Sequence, residues 1–339
     1  MAESERLVVI LVAMMANVAL AVMKFVAFVL TGSPSMLAET YHSISDTGNQ
    51  VLLLVGMFYS RKRPDRLHQF GYGKASFFYA LLVSVLLFGI AGWESLKHGV
   101  DALRDGAGLA TGEVTVQGLT FPAVYLAYLV LITTIALDGV SYWRARVALD
   151  QETDERGWRS FREAFRNTSD MPVLAVLTEN AIAAIGAAIA LVAIFLSQVT
   201  GNPVFDALGA VAIGLLLMTF ALALGIENKR LLIGEALPAD HQASLESIAG
   251  DHEGVVDVSE LRTVYFGPDS VLVTADIAFR PELDTETIDD LITEIEAALI
   301  EREPLIEHVY IEPEFDDPED NEPDIDDEPG DNESEPNVS

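Results

Sequence analysis

Apolar residues are not spread evenly along this sequence. They come in runs of about 20 up to residue 226, a length that crosses a ~30 Å hydrocarbon core at about 1.5 Å rise per residue. Beyond residue 226 they thin out. The runs predict six transmembrane helices: Leu7–Leu30, Met36–Tyr59, Ser76–Lys97, Phe121–Tyr142, Met171–Gln198 and Val204–Ile226. The first run is read as a span rather than a secretory leader, being too long and preceded by Glu3 and Glu5 instead of basic residues. Thr31-Gly32-Ser33-Pro34-Ser35 and Gly201-Asn202-Pro203 break the runs as helix punctuation should.

Arginine and lysine set the expected orientation. Arg61-Lys62-Arg63 and Arg66 follow the second run, several arginines lie in the polar stretch Trp143–Arg166, and Lys229-Arg230 follow the sixth. The loops after runs one and five carry no charge. Both termini are therefore expected in the cytoplasm, as an even number of spans also requires. A multi-pass protein of the cell membrane follows.

After about Ala239 the period changes. His241–Gly250 reads as a helix, Val255–Phe266 and Ser270–Phe279 as strands around a Gly267-Pro268-Asp269 turn. Asp284 reads as the N-cap of a second helix with the stripe Ile288, Leu291, Ile292, Ile295, Leu299, and His308–Ile311 as a last strand. The expected organisation is a six-helix membrane domain over 1–228, a small α+β cytoplasmic domain over 229–315 and an acidic tail over 316–339. That tail cannot bury a core and should be disordered.

The formal net charge is −32, and 13 acids fall in Glu314–Ser339. Such charge disfavours a nucleic-acid role and points to a halophile, whose acidic surfaces stay soluble in screening salt; the alternative is no more than an acidic soluble domain. There is no cysteine, so a metal site must use His, Asp, Glu, Asn or backbone oxygen.

Ionisable residues within the runs are costly and become functional candidates. In the second run His42 and Asp46 are four apart, on one helix face. An imidazole and a carboxylate held that way can grip one borderline divalent ion. The bland alternative is a His–Asp hydrogen bond tying helices together. Glu179-Asn180 in the fifth run is the expected partner. The two residues point about 100° apart, so one of them faces the ion. Asp138 and Asp206 are further carboxylates, read as solvated and as a helix cap respectively. Lys24 is read as a counter-charge or a snorkelling side chain.

The chain resembles the cation diffusion facilitator family over roughly residues 7–313. The resemblance rests on Thr31-Gly32-Ser33, Leu37-Ala38-Glu39, His42-Ser43-x-x-Asp46 and His68-Gln69-Phe70-Gly71-Tyr72-Gly73-Lys74. It continues in Asn202-Pro203-x-Phe205-Asp206-Ala207 and Gly234-Glu235-Ala236-Leu237-Pro238. It implies a homodimer with a ferredoxin-like cytoplasmic domain and exchange of a metal ion for protons. His42 and Asp46 match the family's transport site. Asn180 falls where the fifth helix supplies an aspartate, and Val176 where it supplies another ligand, so this is a Glu-Asn variant. Asp65 and His68 match a second metal site in the loop, with Tyr72 in place of a histidine. The usual ligands of the soluble domain fall on Ser259, Ala275, Tyr310 and Glu312, and no conventional metal site is expected there.

The expected function is efflux of a divalent cation, with Zn²⁺ preferred over Mn²⁺ or Fe²⁺, in exchange for protons. Metal binding requires neutral His42 and ionised carboxylates, and so displaces protons. The metal is cargo, and no resident cofactor is expected. A phosphate-binding Gly loop and a nucleophile–base arrangement are both missing, which speaks against an enzyme. The rival readings are a metal-binding membrane protein that does not transport, and a metal uniporter or channel without proton coupling.

Overall fold

The computed structural model describes residues 3–106, 112–116, 119–156 and 171–314. The chain divides into two compact units, residues 1–233 and 234–339.

The first unit is built from six long helices among the described residues: α1 (Glu3–Thr31), α2 (Pro34–Ser60), α3 (Ala75–Asp105), α4 (Val124–Arg156), α5 (Met171–Thr200) and α6 (Val204–Ile233). The α1–α2 turn follows from five residues. Gly32 takes φ 62, which glycine adopts without steric cost. The Ser33 hydroxyl then caps α2 by accepting from the Met36 N–H at 3.2 Å, and Pro34 opens the helix. The α5–α6 turn repeats this logic with Gly201 at φ 66 and the Asn202 side chain accepting from the Val204 N–H.

Four of the helices are long and apolar enough to cross a membrane: α3, α4 over Val124–Val147, α5 over Leu177–Thr200, and α6. The other two expected spans do not meet that test among the described residues. In α1 the apolar stretch is Asn17–Thr31. In α2 the 27 residues suffice in length, but Ser35, Glu39, Thr40, His42, Ser43, Ser45 and Asn49 are polar and buried. That polarity faces the bundle interior, and hydropathy averaging cannot tell it from polarity facing lipid. Large apolar side chains meanwhile lie exposed in helical rows, Val18, Val22, Phe25 and Val29 on α1 and Leu208, Leu215 and Leu222 on α6. Such rows suit a hydrocarbon solvent and not water.

Helices α3 and α6 meet at backbone distance. A Cβ on Gly214 would stand 2.6 Å from the Leu96 nitrogen, and one on Gly99 would stand 2.7 Å from the Val211 nitrogen. Small residues let membrane helices approach this closely. Near the contact α3 loosens into a π-helical segment, Leu87–Trp93, which the apolar run gives no sign of. Gly214→Ala must push backbone aside and is expected to cost about 1–3 kcal/mol. Gly139→Ala, with open space at its Cβ, should leave the melting temperature of the detergent-solubilised protein unchanged or slightly raised. Equal effects from the two would contradict this packing.

Other boundaries differ from expectation. A hairpin of β1 (Glu113–Val116) and β2 (Leu119–Pro122) precedes α4 and takes up the first two residues of the expected fourth span. Helix α4 continues past Tyr142 to Arg156, because arginines continue a helix as readily as they mark a cytoplasmic loop. Arg146 pairs with Asp150 one turn on, at 3.1 Å. Likewise α6 carries Lys229 and Arg230 inside the helix and ends at Ile233.

The second unit holds α7 (Ala239–Gly250), β3 (Val255–Gly267), β4 (Ser270–Phe279), α8 (Thr285–Arg302) and β5 (Ile306–Glu314). The expected order of helix, strand, strand, helix, strand is what folds. Central β4 runs antiparallel to β3 and parallel to β5. Its alternate residues Val271, Val273, Ala275 and Ile277 are buried against Leu245 of α7 and Ile295 and Leu299 of α8. Asp284 caps α8, accepting from the Thr287 N–H at 2.9 Å and the Thr287 hydroxyl at 2.7 Å. The unit is α+β, with three strands in its sheet among the described residues, one fewer than a ferredoxin-like sheet. The Glu235 carbonyl accepts from the Tyr265 N–H and the Leu237 N–H donates to the Thr263 hydroxyl. Pro238 follows as the N-cap of α7, which starts at Ala239. The expected disordered tail lies outside the described residues.

Candidate metal centre

The candidate ligands start from one stripe of α2. Glu39, His42 and Asp46 follow at spacings of three and four, so they share a face. Threonines nearby keep the helix regular by returning their hydroxyls to the backbone, Thr40 to the Met36 carbonyl and Thr47 to that of Ser43.

His42 is 2% exposed, and neither ring nitrogen has a hydrogen-bond partner among the described residues. Its Nε2 stands 3.5 Å from Asp46 Oδ2, facing it without a hydrogen bond. The expected pairing on one face is therefore present, as a close approach with no hydrogen bond across it. A buried polar group left unsatisfied costs about 1–3 kcal/mol. A site for an ion that the group binds is one place where that cost is kept.

Glu179 of α5 is half-buried and within Coulombic reach of Asp46, His42 and Asp138. Asn180 is half-buried beside it. Further along α5, a Cβ on Gly186 would stand 2.7 Å from Glu39 Oε1. Residues seven apart lie almost on one helix face. Glu179 thus shares the face of α5 that meets α2, and Asn180 is turned about 100° from it. Asp138 of α4, expected to be solvated, is only partly exposed and lies within Coulombic reach of Lys24, His42 and Glu39. Among the described residues no three His, Asp or Glu side chains converge tightly enough to close around a metal ion. The arrangement is a facing pair with carboxylates standing off.

Lys24 does not snorkel. Its Nζ bonds Glu39 Oε2 at 2.7 Å, with the two side chains 2% and 0% exposed. It is the only fully buried lysine or arginine among the described residues. In the sequence Glu39 stands out only as part of Leu37-Ala38-Glu39, and its spacing to His42, Glu-x-x-His, is the signal that marks it.

Asp206 sits in the first turn of α6 but serves α2. Its Oδ1 accepts from the Ser33 hydroxyl at 2.9 Å and the Ser35 N–H at 3.2 Å, while the Ser35 hydroxyl donates to its backbone carbonyl. The cap expected on its own helix is supplied to its neighbour's.

In the α2–α3 loop Asp65 and His68 do meet, at 3.5 Å. Both Asp65 oxygens already have donors: Oδ1 accepts from the Leu67 and His68 N–H groups, and Oδ2 from the Tyr72 hydroxyl at 2.6 Å. The Tyr72 ring packs on His68 with centroids 4.2 Å apart. The Tyr72 hydroxyl and the backbone donors hold the Asp65 carboxyl down at about 2, and the same bond pushes Tyr72 up to about 12. Whatever this contact adds to stability is present above the ordinary carboxylate pKa and lost as pH falls through about 2. In Asp65→Asn, the tyrosine absorbance titration should lose its step near pH 12 and gain one closer to 10. An unchanged titration would contradict the bond. In the second unit Ala275 is buried in the core and Tyr310 is exposed on β5. Ser259 lies in a β3 bulge between Val258 and Glu260.

Residues 10–233 match the model of the cation efflux transmembrane domain, and 237–315 that of the cation efflux protein cytoplasmic domain. The chain belongs to this family, the cation diffusion facilitators. It is 27% identical over 298 residues to the human mitochondrial "Proton-coupled zinc antiporter SLC30A9", covering 85% of this chain and 50% of that one. It is also 27% identical to "Metal tolerance protein C4" of Arabidopsis thaliana, covering 77% of this chain and 54% of that one. To "Cation-efflux pump FieF" of Serratia proteamaculans it is 30% identical, covering 74% and 73%. The chain thus spans about half the length of the first two relatives. Among solved structures, a cadmium form of a MamM C-terminal domain variant is 23% identical over 23% of this chain and 98% of that one, with a TM-score of 0.22.

Proposed function

We propose that this protein exports a divalent metal cation in exchange for protons, with Zn²⁺ preferred over Mn²⁺ or Fe²⁺. The observation that carries the proposal is the buried His42, whose two nitrogens lack hydrogen-bond partners while Asp46 faces it at 3.5 Å. His42 and Asp46 are assigned as ligands, with Glu179 as the α5 donor on the face that meets α2. Asn180, turned away, is a weaker neutral oxygen. An imidazole in the set favours Zn²⁺ over Mg²⁺ or Ca²⁺, and the name of the human relative supports zinc and proton coupling. All six long helices span the cell membrane in this reading, α1 and α2 among them. α2 is tolerated there because its polar stripe faces inward. Both termini lie in the cytoplasm, and the α+β unit pairs two copies into a homodimer. Asp65 and His68 are assigned to stapling the loop rather than to a second metal site, since the Asp65 oxygens are already engaged.

Proton coupling follows from the ligand types: each carboxylate or imidazole that takes the metal must first give up its proton. The reading is tested by metal uptake into vesicles holding the purified protein, with and without a pH gradient. The excess of acid over base is read as adaptation to high salt, so the vesicles are made in molar salt. One observation favours a second reading. Among the described residues no three ligands close on one ion, as suits an uncoupled uniporter or a protein that binds without transporting. Uptake indifferent to pH, or none at all, would select it.

A further inference from the structure

Glu39 carries features that the site described so far does not use. It is fully buried, its Oε2 is held by Lys24, and its Oε1 has no hydrogen-bond partner among the described residues. That free oxygen lies where Gly186 of α5 leaves room; any larger residue would occupy its place. Glu39 stands three residues before His42 on the same stripe. In metal-binding helical bundles, Glu-x-x-His is a spacing that projects both side chains onto one ion. Neither His42 nitrogen has a hydrogen-bond partner among the described residues, so the neutral imidazole keeps a lone pair to offer an ion. The proposed set of His42, Asp46 and Glu179 has three members, and tetrahedral zinc takes four.

We propose that Glu39 is a further ligand of the transported ion, and that Lys24 is a tethered cation that holds its carboxylate when the site is empty. This rests on the transport reading above. A divalent ion arriving beside His42 competes with the Lys24 ammonium for one carboxylate. Lys24 therefore weakens metal binding and speeds release by reclaiming Glu39. A purely structural ion pair would not behave so. Removing one partner of such a pair strands a buried charge, whereas removing both is tolerated.

The test uses the full chain in detergent with Zn²⁺ as probe, following equilibrium binding and melting temperature together. Glu39→Gln combined with Lys24→Met leaves no stranded charge and should melt within a few degrees of wild type. It is expected to bind Zn²⁺ at least about tenfold more weakly. Lys24→Met alone frees the carboxylate, so Zn²⁺ should raise its melting temperature more than it raises that of wild type. If the double variant binds Zn²⁺ as wild type does while His42→Ala has lost binding, Glu39 is not a ligand, and the transport site stands without it. If wild type itself binds no Zn²⁺, the inference falls together with the reading beneath it.

Discussion

Replacing His42 by alanine is expected to abolish metal transport, lowering the rate by at least about a hundredfold, while the protein stays folded. The imidazole is buried with no hydrogen bond to lose, so its removal breaks no network. Loss of its packing costs stability of the order of 2–4 kcal/mol, partly offset because two unsatisfied buried nitrogens disappear with it. Transport has no such compensation, since the imidazole is the only nitrogen ligand in the proposed set and its removal leaves carboxylates alone. Asp46→Ala should behave the same way. Uptake by purified variants in vesicles, with melting temperature measured in parallel, checks both. A variant that transports at the wild-type rate would remove its residue from the site.

The second large effect is expected far from the metal ligands. Asp206→Ala removes the Oδ1 acceptor that holds the Ser33 hydroxyl and the Ser35 N–H. Both donors are buried. Leaving a buried donor unsatisfied costs about 1–3 kcal/mol, so stranding two should cost of the order of 3–5 kcal/mol, large against the marginal stability of most proteins. Asp206→Asn keeps an acceptor at the same place and should lose less than half of that. Transport by the asparagine variant should persist, because Asp206 orients the start of α2 and does not touch the ion. Thermal unfolding of the two variants separates the cases. Equal losses would mean that charge, and not the acceptor, holds the two helices together.

The ease with which each part can be read from the sequence follows from the range of the interactions that make it. Helices α1 to α6 announce themselves because a run of apolar residues is a local pattern. So do β4 and α8, where Val271 to Ile277 alternate and Asp284 caps its own chain three residues on. His42 and Asp46 are legible for the same reason: their meeting needs only one turn of one helix. What the sequence does not show are partners chosen by packing. Lys24 and Glu39 are 15 residues apart in different helices, and Asp206 reaches back across 171 residues to Ser35. Whether Lys24 reaches water or an acid depends on how α1 meets α2, and no periodicity records that. The π-helical turn in α3 is invisible because it alters hydrogen bonding without altering composition. In the α+β unit the order of helices and strands is legible, but the bonds that tie Glu235 and Leu237 to Tyr265 and Thr263 of β3 are not, because they join residues about 30 apart.

Glu179 and Asn180 illustrate the boundary between the two kinds of knowledge. Sequence alone places both in an apolar stretch and says that they diverge by about 100°. The contact of Gly186 with Glu39 then fixes which face of α5 meets α2, and Glu179 lies on it. In the proposed site, the departure from the family pattern at Asn180 is met by the carboxylate one position earlier, on the α5 face that meets α2.

The most direct measurement is Zn²⁺ entry into vesicles carrying the full chain in molar salt, followed by an internal metal-sensitive dye, with the pH gradient set, reversed and collapsed. The expected result is uptake that follows the gradient, falls when it collapses, and vanishes in His42→Ala and Asp46→Ala. Uptake unaffected by the gradient, or undiminished in both variants, would contradict a proton-coupled exporter built on this pair.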